Sequence, residues 1–234
     1  MVELNPDAVL VLGDTNSCLA AIPAKRLHIP VFHMEAGNRC GDLRLPEEIN
    51  RHIVDVTADI NMCYSEHARR YLLSEGMPAK QTYVTGSPMA EVLTANLEQI
   101  QASNILEELG LEEKKYMLLS AHREENIDSE KSFYELFNAI NALAEKYQMP
   151  ILYSCHPRSR KFIEQRHFEL HPLVIQHKPL GFHDYNNLQM NAFAVISDSG
   201  TLPEESSFFT SVGKPFPAVC VRTSTERPEA LDKG

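Results

Sequence analysis

No stretch of the 234 residues is apolar for long enough to span a bilayer. The opening Met1-Val2-Glu3-Leu4-Asn5-Pro6-Asp7 also lacks the charged-then-apolar layout of a secretory signal. Cysteine is scarce and scattered: Cys18, Cys40, Cys63, Cys155 and Cys220 form no CxxC pair and their total is odd. That pattern argues against a disulfide framework or a zinc site and fits reduced thiols in a cytoplasmic protein, with no metal expected. Positive charge is in short supply as well. The 22 Lys and Arg against 32 Asp and Glu leave a net charge of −10. Nucleic acid and anionic membrane are therefore not expected partners, although a local basic pocket stays open. Repeats and low-complexity tracts are missing. What remains is an ordinary globular mixture, 43% hydrophobic and 23% charged, on a chain long enough for one large or two small domains.

The recurring pattern is a short β-branched run, a polar loop, then an amphipathic stretch. Ala8–Leu12 is continuously apolar, as expected of a parallel strand covered on both faces. Pro30–Met34, Ile60–Tyr64 and Thr82–Thr85 continue the series. Between them, Pro46 suits the first position of a helix whose Glu47 and Glu48 favour the dipole, with Ile49, Ile53 and Val56 on one face. A second series holds Tyr116–Ser120, Ile151–Ser154, Leu173–Gln176, Ala194–Ser197 and Pro217–Val221. Its clearest helix places Phe133, Leu136, Phe137, Ile140, Leu143, Ala144 and Tyr147 at helical spacing. The expected organisation is α/β: a partial Rossmann-like domain over 1–96, a polar hinge over 97–115 and a second Rossmann-like domain over 116–234.

Polar clusters fall just after the strands, where open parallel sheets bind ligands. Asp14, Glu35 and Glu47 come from separate loops that could meet in one cleft. Chemistry that moves protons on carbon needs such groups. Equally, Asp14 could cap a helix and Glu47 serve a dipole. His122-Arg123 and His156 with Arg158 end strands of the second series and suit a diphosphate, or are ordinary structural histidines. Asp198-Ser199-Gly200-Thr201 leads into a helix, reading either as an anion-binding turn or as a capped start. Glu205, about a turn in, is placed to accept hydrogen bonds from the vicinal hydroxyls of a ribose. Cys155 next to His156 could suggest a thiol nucleophile, but neighbours on a strand point to opposite faces.

Taken together these blocks resemble the non-hydrolysing UDP-N-acetylglucosamine 2-epimerase family, a two-domain GT-B fold. The matching stretches are Gly13-Asp14-Thr15, His33 to Arg39, Pro46 to Arg51, Thr85-Gly86-Ser87-Pro88, Ala121 to Asn126, Ser197 to Glu205, Gly213-Lys214-Pro215 and Thr225 to Glu229. The resemblance implies two Rossmann-like domains facing a cleft, a UDP-N-acetyl sugar as substrate, inversion at C2, no external cofactor and a homodimer. It assigns Asp14, Glu35, Glu47 and His122 to catalysis. Arg123, His156, Ser199, Gly200, Thr201, Glu205 and Arg227 fall to substrate binding. The loop from Glu35 to Glu47 is shorter than in the common members. It looks more like the capsule and O-antigen branch that forms UDP-N-acetyl-L-fucosamine. No Gly-Thr-Arg-Pro-Glu loop precedes Val2, and no closing helices follow Gly234. The resemblance therefore implies an incomplete first domain and little activity of this chain alone. Two other readings stand beside it: a GT-B glycosyltransferase, which needs an acceptor, and a UDP-binding fragment without turnover.

Overall fold

Four short runs, each ending at a polar loop, form a parallel sheet: β1 (Val9–Leu12), β2 (Val31–Met34), β3 (Ile60–Cys63) and β4 (Thr82–Val84). Their spatial order is β1-β2-β3-β4. The register sets Val9 opposite Val31, Phe32 opposite Ile60 and Asn61 opposite Thr82. The structure is a computed structural model that describes residues 3–222 and 225–227. The tail of the expected Thr225–Glu229 block, Pro228 and Glu229, lies outside the described residues. The described chain divides into two units, one of 3–88 with 225–227 and the other of 89–222.

In the first unit a 3-10 turn, Asn16–Ala20, leads into α1 (Ala21–Arg26), followed by α2 (Pro46–Thr57) and α3 (Glu66–Ser74). Pro46 opens α2 as its spacing predicts. Ser65 caps α3 by accepting from the Ala68 amide, and Gly76 ends the segment with φ of +90°. Two expectations fail here. Leu10 and Leu12 of β1 are 63% and 61% exposed, so this edge strand is covered on one face only, by the layer holding Val11, Ala21, Ala24 and Val54. Helix α2 is also turned the other way. Ile49 and Val56 are exposed, and Glu48, Asn50, Arg51 and Asp55 are buried.

The second unit opens with α4 (Met89–Gln101) and α5 (Ile105–Glu108), which run into the expected hinge. Leu93, Ile100 and Ile105 are buried in this unit's core, so the division falls between Pro88 and Met89 instead of over 97–115. Polarity made the stretch look like a linker, but Ile100 and Ile105 are buried and Leu106, Leu109 and Leu111 pack against the same core. There follow β5 (Met117–Ser120), α6 (Glu124–Ile127), α7 (Glu130–Tyr147), β6 (Ile151–Ser154), α8 (Pro157–Gln165) and β7 (Val174–His177). The unit ends with α9 (Phe182–Asn191), β8 (Ala194–Ser197), α10 (Leu202–Ser211) and β9 (Ala218–Cys220). The parallel order β7-β6-β5-β8-β9 reverses direction at β5. Apolar layers cover both faces: Leu119, Tyr153 and Ile196 meet Phe133, Phe137 and Ile140 on one side. Leu118, Leu152 and Val195 meet Leu188, Ile100 and Phe209 on the other. Loops leaving β5 and β8 diverge at the reversal, the position where doubly wound sheets bind ligands.

Candidate functional site

In the first unit the polar groups gather at the carboxyl ends of β1 and β2. Gly13 follows β1 with φ of +71°, and a side chain there would lie 3.3 Å from Glu35 Oε2. Glu35 follows β2 and itself adopts φ of +67°. A non-glycine residue in this region stores about 1–3 kcal/mol of strain, a level typical of functional turns. Two donors hold its carboxylate: Arg227 Nη2 at 2.8 Å and Asn38 Nδ2 at 3.2 Å. The Arg227 guanidinium also lies over the Tyr64 ring, 5.7 Å from its centroid.

Asp14 is held in the same way. Arg51 Nε donates to its Oδ2 at 2.7 Å, and Asn50 Nδ2 donates to its backbone carbonyl at 2.8 Å. Arg51 turns its other arm to Glu48, with Nη1 2.7 Å from Oε2. Glu48 in turn accepts from the amides of Cys40 and Gly41, at 3.2 and 2.9 Å, and so pins the loop ahead of α2. Burial alone would raise the Glu48 pKa, but those amides and Arg51 outweigh it and hold the carboxyl below its ordinary range. Burial likewise opposes the Arg51 charge. Asp14, Glu48 and Glu226 overcome it and keep the guanidinium above its usual value. Glu47 is exposed on the first turn of α2. It stands three and four residues before Asn50 and Arg51, on the helix face that grips Asp14.

In the second unit the organising group is Asp198, fully buried at the end of β8. Its Oδ2 accepts from the amides of His122 and Arg123, at 2.8 and 2.9 Å, and from Asn126 Nδ2 at 3.1 Å. This ties the loop after β5 to the loop after β8. His122 is about half exposed, with Nδ1 3.4 Å from Asp198 Oδ1. Beyond Asp198, Ser199 Oγ lies 2.9 Å from Thr201 Oγ1. Thr201 donates to Glu205 Oε1 and Gln189 Nε2 donates to Glu205 Oε2, each at 2.7 Å. Tyr185 faces the same carboxylate; burial, then the Glu205 charge, push its hydroxyl pKa up.

The structure thus groups Asp14, Glu35 and Arg227 with Glu47 nearby on α2. Separately it groups His122, Arg123, Ser199, Gly200, Thr201 and Glu205 at the sheet reversal. His156 joins neither group. Its Nδ1 accepts from the Arg158 amide at 3.3 Å, capping α8, and Arg158 is paired with Glu124 and Asp128. Cys155 is buried, and burial pushes its thiol pKa up, which leaves it inert as a nucleophile. Arg51, Asn50, Glu48 and Gln189 were not legible as site residues. For the first three the signal was the polar face of α2, opposite the stripe of Ile49, Ile53 and Val56. Among the described residues, no group of three or more His, Cys, Asp or Glu is arranged to hold a metal ion. Nor is any helix among them long and apolar enough to cross a membrane.

The family model described as UDP-N-acetylglucosamine 2-epimerase matches residues 1–234. A UDP-N-acetylglucosamine 2-epimerase of Methanococcus maripaludis is 32% identical over 241 residues, covering 99% of this chain and 64% of that protein. The solved Rickettsia bellii UDP-N-acetylglucosamine 2-epimerase is 45% identical with a TM-score of 0.86, covering 99% of this chain and 60% of that one. The Methanocaldococcus jannaschii enzyme, solved with UDP-GlcNAc and UDP, is 31% identical with a TM-score of 0.88. There the coverage is 99% of this chain and 64% of the other. The chain therefore spans a little under two thirds of the length of these relatives, and its fold is GT-B-like.

Proposed function

Because the chain belongs to the UDP-N-acetylglucosamine 2-epimerase family, we propose that it takes part in inverting C2 of a UDP-N-acetyl sugar without net hydrolysis. One observation carries this reading. Two carboxylates, Asp14 and Glu35, leave neighbouring parallel strands, and each is held by an arginine. Each carboxylate is thereby oriented at the carboxyl end of its strand, where a group that moves a proton on carbon has to stand.

The reaction follows from those roles. One carboxylate takes the C2 proton, and the C2–H electron pair becomes a C1–C2 double bond. The C1–O bond breaks, its electrons leaving on the β-phosphate oxygen of UDP. The intermediate is a 2-acetamidoglycal. UDP then adds back at C1 while a second carboxylic acid delivers a proton to the opposite face of C2. Asp14, Glu35 and Glu47 are the acid and base candidates. His122 and Arg123 serve the diphosphate, together with the Ser199-Gly200-Thr201 turn. Glu205 accepts from the ribose hydroxyls. Arg227 acts through Glu35 by holding its charge, and His156 is kept only as an outer contact. No redox step occurs, so no redox cofactor is needed.

The test is incubation with UDP-GlcNAc in heavy water, followed by NMR. It is run on a protein of the relatives' full length that contains this chain and on the chain alone, from which little turnover is expected. Deuterium at C2 and a second UDP-sugar of inverted configuration are expected from the full-length protein. From that protein, free N-acetyl sugar, acceptor-dependent transfer, or bound UDP-sugar with no exchange would each overturn the reading. Amide substitution at Asp14, Glu35 or Glu47 is expected to slow exchange by about 10²–10⁴-fold, the usual worth of general acid/base help. The short loop from Glu35 to Glu47 supports a second substrate, the UDP-N-acetyl-6-deoxy-talosamine that yields UDP-N-acetyl-L-fucosamine for surface polysaccharides. The same assay with that sugar ranks the two.

A further inference from the structure

Helix α2 turns its charges inward. Burying an ion carries a cost of several kcal/mol unless partners compensate it, so the inward groups must be read by what they hold. Asn50 and Arg51 hold the Asp14 loop. Asp55, one turn further on, is 1% exposed and reaches the other loop. Its carboxylate lies 2.7 Å from His33 Nδ1 and accepts from the Gly37 amide at 3.3 and 3.4 Å. Arg39 Nη1 lies 2.7 Å from its Oδ2, and Glu75 takes the rest of that guanidinium at 2.8 and 2.6 Å. The second ring nitrogen of His33 lies 3.3 Å from the carbonyl of Gly13, the residue before Asp14. His33 and Gly37 flank Glu35 by two residues on either side. Asp55 therefore grips the strained residue from both ends.

We infer that Asp55 and His33 are positioning residues. Asp55 fixes the turn that presents Glu35, and His33 passes the constraint to the peptide that presents Asp14, so the two carboxylates keep one spacing. The inference rests on the epimerase reading, in which that spacing sets the reaction geometry. Both partners of the His33 ring, the Asp55 carboxylate and the Gly13 carbonyl, offer acceptor oxygens. Ionisable groups run through the cluster in series: His33, Asp55, Arg39, Glu75. His52, with Nδ1 3.8 Å from Glu75, ends the series where the cluster meets solvent. Cys63 faces the same centre as a neutral thiol, its pKa pushed up to about 12 by burial and then by the Asp55 charge.

The test begins with the unsubstituted chain labelled with ¹⁵N-histidine. Its spectrum is expected to show a proton on His33 Nε2, the nitrogen that faces the Gly13 carbonyl; an unprotonated Nε2 would overturn the bridge. Hydrogen exchange then compares Asp55→Asn and His33→Gln with the parent. Asp55→Asn is expected to speed exchange at Gly37 and over 13–16 by ~10-fold or more, with UDP affinity unchanged. His33→Gln is expected to loosen 13–16 and leave Gly37 protected. Unchanged protection in both variants would overturn the inference. In turnover, Asp55→Asn is expected to lower kcat by about 10²-fold with KM held, the signature of misplaced groups. A change in KM alone would count against it. A full-length parent without C2 exchange would sink the epimerase reading, and the spectrum and exchange data would still decide the positioning.

Discussion

Glu205 already accepts from Thr201 and Gln189, and a carboxylate has lone pairs left for a ribose diol. Glu205→Gln keeps the shape and removes the charge. Loss of a charge-assisted bond is worth about 1.5–3 kcal/mol, so titration calorimetry is expected to show UDP affinity falling by roughly tenfold or more. Equal affinities would remove Glu205 from the nucleotide site. Glu48 supplies a prediction in pH. Its folded carboxyl is held below the ordinary 4.5, so its contribution is full above that value and is lost as pH falls through the lower folded value. Denaturant midpoints of the first unit are expected to drop below about pH 4, and the drop should shrink in Glu48→Gln. The sequence signalled Glu35 because it directly follows a strand, and Glu205 because it lies about a turn into the helix that Asp198-Ser199-Gly200-Thr201 leads into. It could not signal Glu48, two of whose partners are amides of the preceding loop, or Gln189, whose partner lies on another helix.

The nine strands among the described residues were legible, to within a residue or two, because continuous apolar runs between polar loops have few other readings. The orientation of α2 was not. Three apolar residues at helical spacing outweighed Glu48, Arg51 and Asp55, whose burial depends on loops that periodicity does not see. This reversal is checkable. Val56 is 67% exposed, so Val56→Lys is expected to leave folding stability within about 0.5 kcal/mol, measured by urea denaturation. The loop after β2 responds oppositely. A side chain at Gly37 would meet the Ala68 carbonyl at 2.4 Å, and the residue holds φ of +80°. Gly37→Ala is expected to cost about 1–3 kcal/mol and to displace Glu35, so melting temperature and C2 exchange should fall together.

Across the whole molecule, the scattered cysteines act as a burial gauge. Cys18, Cys63 and Cys155 are buried, Cys40 is half-buried beside Glu48, and Cys220 is exposed. Thiol titration is expected to find Cys220 fast, Cys40 slow and the other three only after denaturation. A rapid reaction at Cys155 would contradict both its burial and its raised pKa. The division into two units was legible in outline from the two series of strands. Its position was not, because a polar surface on α4 and α5 resembles a linker until the inward residues are placed. The first unit is also discontinuous in the chain, since 225–227 belong to it. Glu35 and its partner Arg227 are separated by 192 positions. At a ribosomal pace of 5–20 residues per second, Glu35 waits about 10–40 s for that guanidinium to be made. During synthesis Glu35 is therefore made well before the arginine that holds it, and their pairing is a late event in the birth of the molecule.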